Sequence, residues 1–163
     1  MKRIRVYKTD GTYRYSLVDD ADYPIISQYR WTDMKGEYAR TWTNGETVLM
    51  HRMIMNPSKD MMVDHINHKK LDNRRENLRE CTHSQNLANS VKGNKRKSSR
   101  YKGVDYKKRD KKWAARIMKD RKPHVLGVFD REIDAARAYD RCAVELFGEF
   151  ANTNFKTIWW RKK

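Results

Sequence analysis

The sequence predicts an α+β chain built as two small units, and three observations carry that expectation. Apolar and aromatic residues alternate with polar ones around Asp10-Gly11 and again around Asn44-Gly45, the pattern of β-hairpins. Three further strand-like runs, YKGVDY, KWAARIM and PHVLGVF, precede one long segment of helical period, DREIDAARAYDRCAVELFG. Between these halves lies KGNKRKSSR, which has no apolar residue with which to bury a face. The expected divisions are residues 1–91, a basic linker over 92–100, and residues 101–163. A segment of ~60 residues buries only about 60% of the surface its unfolded chain exposes, so each core is modest.

Each element has a local reason. RIRVYKTDGTYRYSLVDD is the first hairpin, and ADYPIISQYRW is a short helix entered from Asp19 or Asp20. YARTWTNGETVLMHRMIM is a second hairpin that runs on into a polar stretch, which puts His51 on an apolar strand. That stretch, VDHINHKKLDNRRENLRECTHSQN over residues 63–86, is too polar for a core and reads as strand, loop, strand, helix. Thr82 stands as N-cap with Gln85 three residues on, a capping box opening HSQNLANS. In the second half Asp130 is the N-cap candidate and Gly148 the stop. Ile133, Ala136, Ala143, Leu146 and Phe147 fall on one helical stripe for a three-stranded antiparallel sheet to cover.

Charge narrows the partners. The 163 residues carry a formal charge of +16, with 38% hydrophobic and 36% charged residues, a mean hydropathy of −1.06 and a pI near 9.9. Residues 91–122 alone hold 15 Lys and Arg against Asp105, Asp110 and Asp120, so most of the excess sits in one window. A chain this basic binds polyanions by default, nucleic acid first. No apolar run of membrane-spanning length occurs and MKRIRVYKTD has no apolar stretch for a signal peptide, so the expectation is an intracellular protein without a membrane partner. Cys81 and Cys142 lack metal-ribbon spacing, which leaves oxygen and imidazole as metal donors. No protein partner is inferable from the sequence.

Phosphodiester hydrolysis needs an activated water, a cation against the developing charge, and in-line geometry. His65 is a base of suitable ordinary pKa, and Asp64 and Asn86 offer the hard oxygens that Mg²⁺ accepts while it keeps several waters. Successive strand residues point to opposite faces, so a bend is expected at Asp64-His65 if both are to reach one phosphate. Asn73 and Asn77 lie in the connecting loop, where an amide can bond backbone and fix geometry. Arg74, Arg75 and Arg79 could clamp a phosphate, or be solvated. His68 and His83 flank the site as loop residues, and His51 reads as a packed histidine.

VDHINHKKLDNRRENLRECTHSQNLAN resembles the HNH endonuclease motif in the Asp-His…Asn…Asn form of phage-type homing endonucleases, with LVDDADYPIISQYRW and MHRMIM similar to the strands that lead into it. The resemblance implies a ββα-metal fold, His65 as general base, Asp64 and Asn86 as ligands of one divalent cation (Mg²⁺, with Mn²⁺ possible), and Asn77 as the middle Asn that positions base and loop. It also implies cleavage to 5′-phosphate and 3′-hydroxyl ends.

The second half, SRYKGVDY…KKWAARI…HVLGVFD…AARAYDRCAVELFGEFANTNF, resembles an AP2/ERF DNA-binding domain through its YxGV, LGxF, AARAYD and NF landmarks. The implied fold is a three-stranded antiparallel sheet on one helix, with the sheet's open face in the major groove of double-stranded DNA. Period two then puts Trp113, Ala115 and Ile117 on the helix side and Ala114, Arg116 and Met118 toward DNA. Arg116 is the base-reading candidate, because a guanidinium pairs bidentately with guanine. Lys102, Lys107, Arg109 and Lys122 are phosphate contacts or solvated charges. Asp105 and Val125 stand where plant members carry Arg and Trp, so those members' target does not transfer. The expectation is a metal-dependent homing-type DNA endonuclease guided by a DNA reader. The alternatives are a non-catalytic sequence-specific DNA-binding regulator and, more weakly, an RNA-binding protein.

Overall fold

The alternation of the first twenty residues becomes β1 (Lys2–Tyr7) and β2 (Tyr13–Val18), antiparallel, with Tyr7 opposite Tyr13. Asp10 closes their turn by accepting from the Thr12 amide at 2.9 Å and the Thr12 hydroxyl at 2.6 Å. The computed structural model describes residues 1–34, 38–91, 93 and 98–156. They divide into two units, Met1–His83 and one that begins at Ser84.

In the first unit α1 (Tyr23–Ile26) returns the chain so that β3 (Trp31–Met34) lies parallel to β1. The second hairpin, β4 (Tyr38–Thr43) and β5 (Glu46–Leu49), turns at Asn44 and Gly45, both at positive φ. The sheet order is β2-β1-β3-β4-β5. One face buries Ile4, Val6, Val18, Trp31 and Ala39 against Ile26, Met50, Ile54, Val63 and Leu78. The Trp31 indole N–H donates to the Ile26 carbonyl at 2.8 Å, so its one polar atom is satisfied in the core.

Two elements differ from expectation. The cap of α1 is Asp22, not Asp19 or Asp20; the Asp19 carbonyl instead accepts the amides of Asp22 and Tyr23, and Pro24 sits in the first turn where its missing N–H costs nothing. MHRMIM is not a strand but α2 (Met50–Met55), with Met50, His51 and Ile54 buried on one side. That spacing suits a helix, and Asn56 ends it at φ 45°.

The polar stretch becomes β6 (Met62–His65), a loop with a 3-10 turn at Arg75–Asn77, and β7 (Leu78–Cys81), antiparallel to β6. It is not a surface segment: Val63, Asp64, His65, Asp72, Asn73, Asn77, Leu78 and Cys81 are all buried. Burial is tolerated because the polar groups are paired, and Leu17 and Asn73 amides bond across to Leu71 and Leu17 carbonyls at 2.8 Å, which fastens the loop to the edge of β2.

In the second unit β8 (Val104–Lys107), β9 (Lys112–Lys119) and β10 (Lys122–Phe129) form the expected antiparallel sheet, order β10-β9-β8, over α4 (Glu132–Phe147). Small residues on α4, Ala135 and Ala136, are fully buried beneath Val104 and Ala115. Gly103 has φ +73°, and an added Cβ would sit 2.0 Å from the Tyr139 ring. Asp140 is buried and accepts from the Asn154 amide at 2.7 Å and the Phe155 amide at 2.9 Å, which ties the AARAYD and NF landmarks together. The N-cap of α4 is Arg131 rather than Asp130, whose carboxylate pairs instead with Lys112 at 3.1 Å. Gly148 ends the helix at φ +53°. Of the basic linker, residues 92 and 94–97 lie outside the described residues, whereas the Ser99 hydroxyl donates to Glu132 at 2.6 Å. The short helix α3 (His83–Asn89) contributes Ala88 to the cluster of Ile117, Tyr139, Ala143 and Phe147.

Candidate active site and nucleic-acid interface

β6 stays regular through His65, which pairs with Leu78, so the bend comes one residue later than expected, at a turn in which His68 takes φ +63°. The loop it opens is closed by Asn77, whose amide N–H donates to the Asp72 carbonyl at 2.7 Å and whose oxygen accepts from the Asn67 amide at 3.0 Å. Asn77 thus braces the loop, and the amide that touches the base is Asn73. Its Oδ1 lies 3.1 Å from His65 Nε2, while its Nδ2 donates to Ser16 Oγ at 2.7 Å. The Ser16 hydroxyl proton is spent on the Leu71 carbonyl at 2.9 Å, so Ser16 can only accept from Asn73. In this arrangement Asn73 presents its oxygen to His65, and the hydrogen-bond network assigns the proton to Nε2 and the lone pair to Nδ1.

The ring of His65 also stands edge-on to His51, 5.1 Å between centroids, and 6.0 Å from the Tyr38 ring. Burial holds His65 below the ordinary histidine pKa, partly offset by its bond to Asn73 and the charges of Asp64 and Asp72. Burial and the neighbouring His65 push His51 to about 3. Both shifts favour the neutral ring at physiological pH.

Asp64 faces Arg79 across the ladder, with Oδ2 accepting from Nε at 3.1 Å and Nη2 at 3.0 Å. Each arginine considered for a phosphate clamp has a carboxylate of its own: Arg74 on Asp72 at 2.7 Å, Arg75 on Asp22 at 2.8 Å, Arg79 on Asp64. Asn86 is half-buried on α3. Among the described residues no group of three or more His, Cys, Asp or Glu side chains gathers as a metal centre. The donor set in question is one carboxylate and one amide oxygen, which fits a hard cation that keeps most of its waters.

The second unit offers a sheet face. Arg116 and Met118 on β9 are exposed while Ala115 and Ile117 are buried, and Val125 and Val128 on β10 are exposed beside them. Ala114, expected outward, is only 6% exposed, and Trp113 packs half-buried against the core as expected. Arg116 is held by Asp105 through Nε at 3.0 Å and Nη2 at 2.5 Å, so Asp105 orients the candidate base reader. Lys107, Arg109 and Lys122 are exposed, Arg109 paired with Asp110 at 2.9 Å. Lys102 is not on this face. Its ammonium donates to the carbonyls of Leu87, Ala88 and Ser90 at 3.2, 2.6 and 2.6 Å, at the end of α3, and burial lowers its pKa to about 8. A cation is favoured there by the carbonyls gathered at the C-terminal end of the helix.

Sequence reasoning missed Ser16, Tyr38 and Asn73 as the surroundings of the base. Only Asn73 left a signal, an amide eight residues past the histidine; Ser16 and Tyr38 come from distant strands.

A two-stranded ladder that ends in a buried histidine, followed by a short helix that carries Asn86, is the element order of the ββα nuclease folds. A family model described as HNH endonuclease matches residues 56–88. An uncharacterised HNH endonuclease of Acanthamoeba polyphaga mimivirus is 37% identical over 151 residues, covering 88% of this chain and 75% of that protein. The chain belongs to the HNH endonuclease family. The second unit is AP2-like: an AP2-like ethylene-responsive transcription factor of Arabidopsis thaliana is 43% identical over 72 residues, 44% of this chain and 15% of that protein. An APETALA2-like protein of Oryza sativa subsp. indica is 41% identical over 64 residues, 39% of this chain and 15% of its own. No helix among the described residues is long and apolar enough to cross a membrane.

Proposed function

We propose that the protein is a DNA endonuclease of the homing type, hydrolysing phosphodiesters at a site chosen by its AP2-like unit. The observation that carries this reading is the histidine: buried, its Nε2 3.1 Å from the Asn73 amide oxygen, and held by burial below the ordinary histidine pKa. His65 takes the proton of the attacking water at Nδ1, and Asn73 and His51 hold the ring as charge develops on it. Asp64 and Asn86 would hold one Mg²⁺ or Mn²⁺, which when bound offsets the charge of the phosphate and its leaving oxygen. Products with 5′-phosphate and 3′-hydroxyl ends follow from the family resemblance. Arg116, oriented by Asp105, reads a base; Lys107, Arg109 and Lys122 meet phosphates. The functional division of the chain at a linker over 92–100 belongs to the same proposal.

Plasmid nicking in Mg²⁺ and in EDTA tests it. Nicking should need the cation, and His65→Ala should lower its rate roughly 10²–10⁴-fold with DNA affinity nearly unchanged, because a base serves only the chemical step. Near-normal nicking by His65→Ala would remove His65 from the role. Sequence-specific binding without nicking in any divalent cation would favour a non-catalytic regulator instead.

A further inference from the structure

The face of the five-stranded sheet turned away from the core carries aromatic rings and guanidinium groups. By register, Arg3, Arg5 and Tyr7 of β1 share it with Tyr13 and Tyr15 of β2, and the ladder through Thr32 of β3 adds Arg40 and Trp42 of β4. Tyr13 is 45%, Tyr15 43% and Trp42 70% exposed. The rings form a row, Tyr7 to Tyr13 at 6.2 Å and Tyr13 to Tyr15 at 5.4 Å, each pair edge-on. Guanidinium carbons lie over their faces: Arg30 on Tyr7 at 5.0 Å, Arg5 on Tyr13 at 5.1 Å, Arg3 on Tyr15 at 5.7 Å. A groove of about 660 Å³ runs beside β1, lined by Arg3, Arg5, Tyr7, Tyr23, Tyr29 and Arg30. Asp33 and Glu46 belong to the other face by the same register, so no described strand position of this face is acidic.

Single exposed rings need no explanation, but a contiguous row interleaved with arginine does. Exposed cation–π contacts are individually weak, little reason for keeping these rings in water. The nuclease reading requires a scissile phosphate at His65 and makes no use of this face.

We propose that this face binds a short stretch of unpaired DNA, stacking its bases on Tyr13, Tyr15 and Trp42 and pairing its phosphates with Arg3, Arg5, Arg30 and Arg40. Charge selects a polyanion, since the described strand positions of this face carry arginines and no carboxylate. Ring faces select unpaired bases, because a duplex hides its base faces and would meet the guanidiniums alone. Each guanidinium leaves its ring for a phosphate oxygen, a stronger, charge-assisted contact, and the vacated ring face takes a base. From β2 to β4 is three strand spacings of ~4.8 Å, roughly 14 Å, the length of about four stacked nucleotides at ~3.4 Å each. The proposal goes beyond cleavage and does not depend on it.

The test is equilibrium binding of the full chain, in EDTA, to three labelled probes of about 12 nucleotides: oligo-dT, an abasic strand of the same length, and a duplex. Tyr13→Thr/Trp42→Thr should weaken oligo-dT binding by roughly fivefold to a hundredfold per base lost, and leave the abasic strand and the duplex unaffected. Tyr13→Phe/Trp42→Phe, which keeps stacking surface, should bind oligo-dT as the wild type does. Oligo-dT should also quench the part of the tryptophan emission that Trp42→Phe removes, a readout that holds even if the threonine variant fails to fold. Equal oligo-dT binding by wild type and a folded threonine variant, equal loss on all three probes, or absent quenching would overturn the proposal. A chain that never nicks yet binds oligo-dT through these rings removes the cleavage reading and upholds this one; a nicking chain indifferent to their loss does the reverse.

Discussion

Asn73 and Asn77 sit four positions apart in one loop, both buried, and do different work. Asn73 fixes the tautomer and plane of His65, whereas Asn77 holds the Asp72 carbonyl and the Asn67 amide. Asn73→Ala is expected to lower single-turnover nicking about 10- to 100-fold with DNA affinity unchanged, the usual cost when the partner that orients a functional ring is lost. Asn77→Ala leaves a buried carbonyl unpaired and should cost about 1–3 kcal/mol of stability, read as a lower midpoint in urea. Nicking assayed below both midpoints separates the two: Asn77→Ala should retain more activity than Asn73→Ala, and the opposite order would reverse their roles. The sequence singled out Asp64, His65 and Asn86 because their motif spacing is regular. It did not tell Asn73 from Asn77, because side-chain direction in a loop follows no period. It hid His51 as well, since reading MHRMIM as a strand concealed the helix that brings that ring to His65.

At the scale of elements, period two placed Arg116 and Met118 of β9 outward and Ile117 inward but failed at Ala114, which is buried, and it gave no sign that Asp105 would hold Arg116. Arg116→Ala should relax preference at one base position by about 1–3 kcal/mol, whereas Lys107→Ala should weaken all sequences alike and reduce the salt slope by about 1. Titrations on a preferred site and its single-base variants, across salt, distinguish them; uniform loss for Arg116→Ala would make it a backbone contact. Lys102 was read as one more surface cation, because only the position of α3 reveals its acceptors. Its pKa is lowered to about 8 in the fold against a model-peptide value near 10.4, so the unfolded chain binds more protons between those values. Stability should therefore rise with pH from about 8 to about 10, by up to roughly 3 kcal/mol, and level off above. Lys102→Met should lack this rise and show faster hydrogen exchange near residues 88–90. Parallel urea midpoints for the two proteins across that range would show that Lys102 is not titrating in the fold.

At the scale of the whole molecule, the chain divides between His83 and Ser84, and the position of α3 did not follow from charge or polarity. The basic stretch predicts that residues 1–91 stand alone as the nuclease, since a segment with nothing to bury reads as a tether. Yet α3, which carries Asn86, packs by contacts within the unit that begins at Ser84. Lys102 holds its last carbonyls, the Asn152 amide donates to the Ala88 carbonyl at 3.1 Å, and Ser84 bonds Asp120 at 3.2 Å. A helix of seven residues is far below the ~12–15 needed for even marginal stability in water, so α3 depends on those partners. A chain ending at residue 91 should therefore keep the sheet and the β6–β7 ladder but leave α3 frayed. With Asn86 as a metal ligand, that fragment should bind DNA weakly and need far more Mg²⁺ to nick than the full chain. A chain shortened only after residue 156 keeps every described partner of α3 and should nick normally. Far-UV circular dichroism of the fragment, with a Mg²⁺ titration of nicking for all three proteins, checks both parts. A fragment that saturates at the full chain's Mg²⁺ concentration, with an unchanged rate, would show that α3 folds and coordinates without the reader.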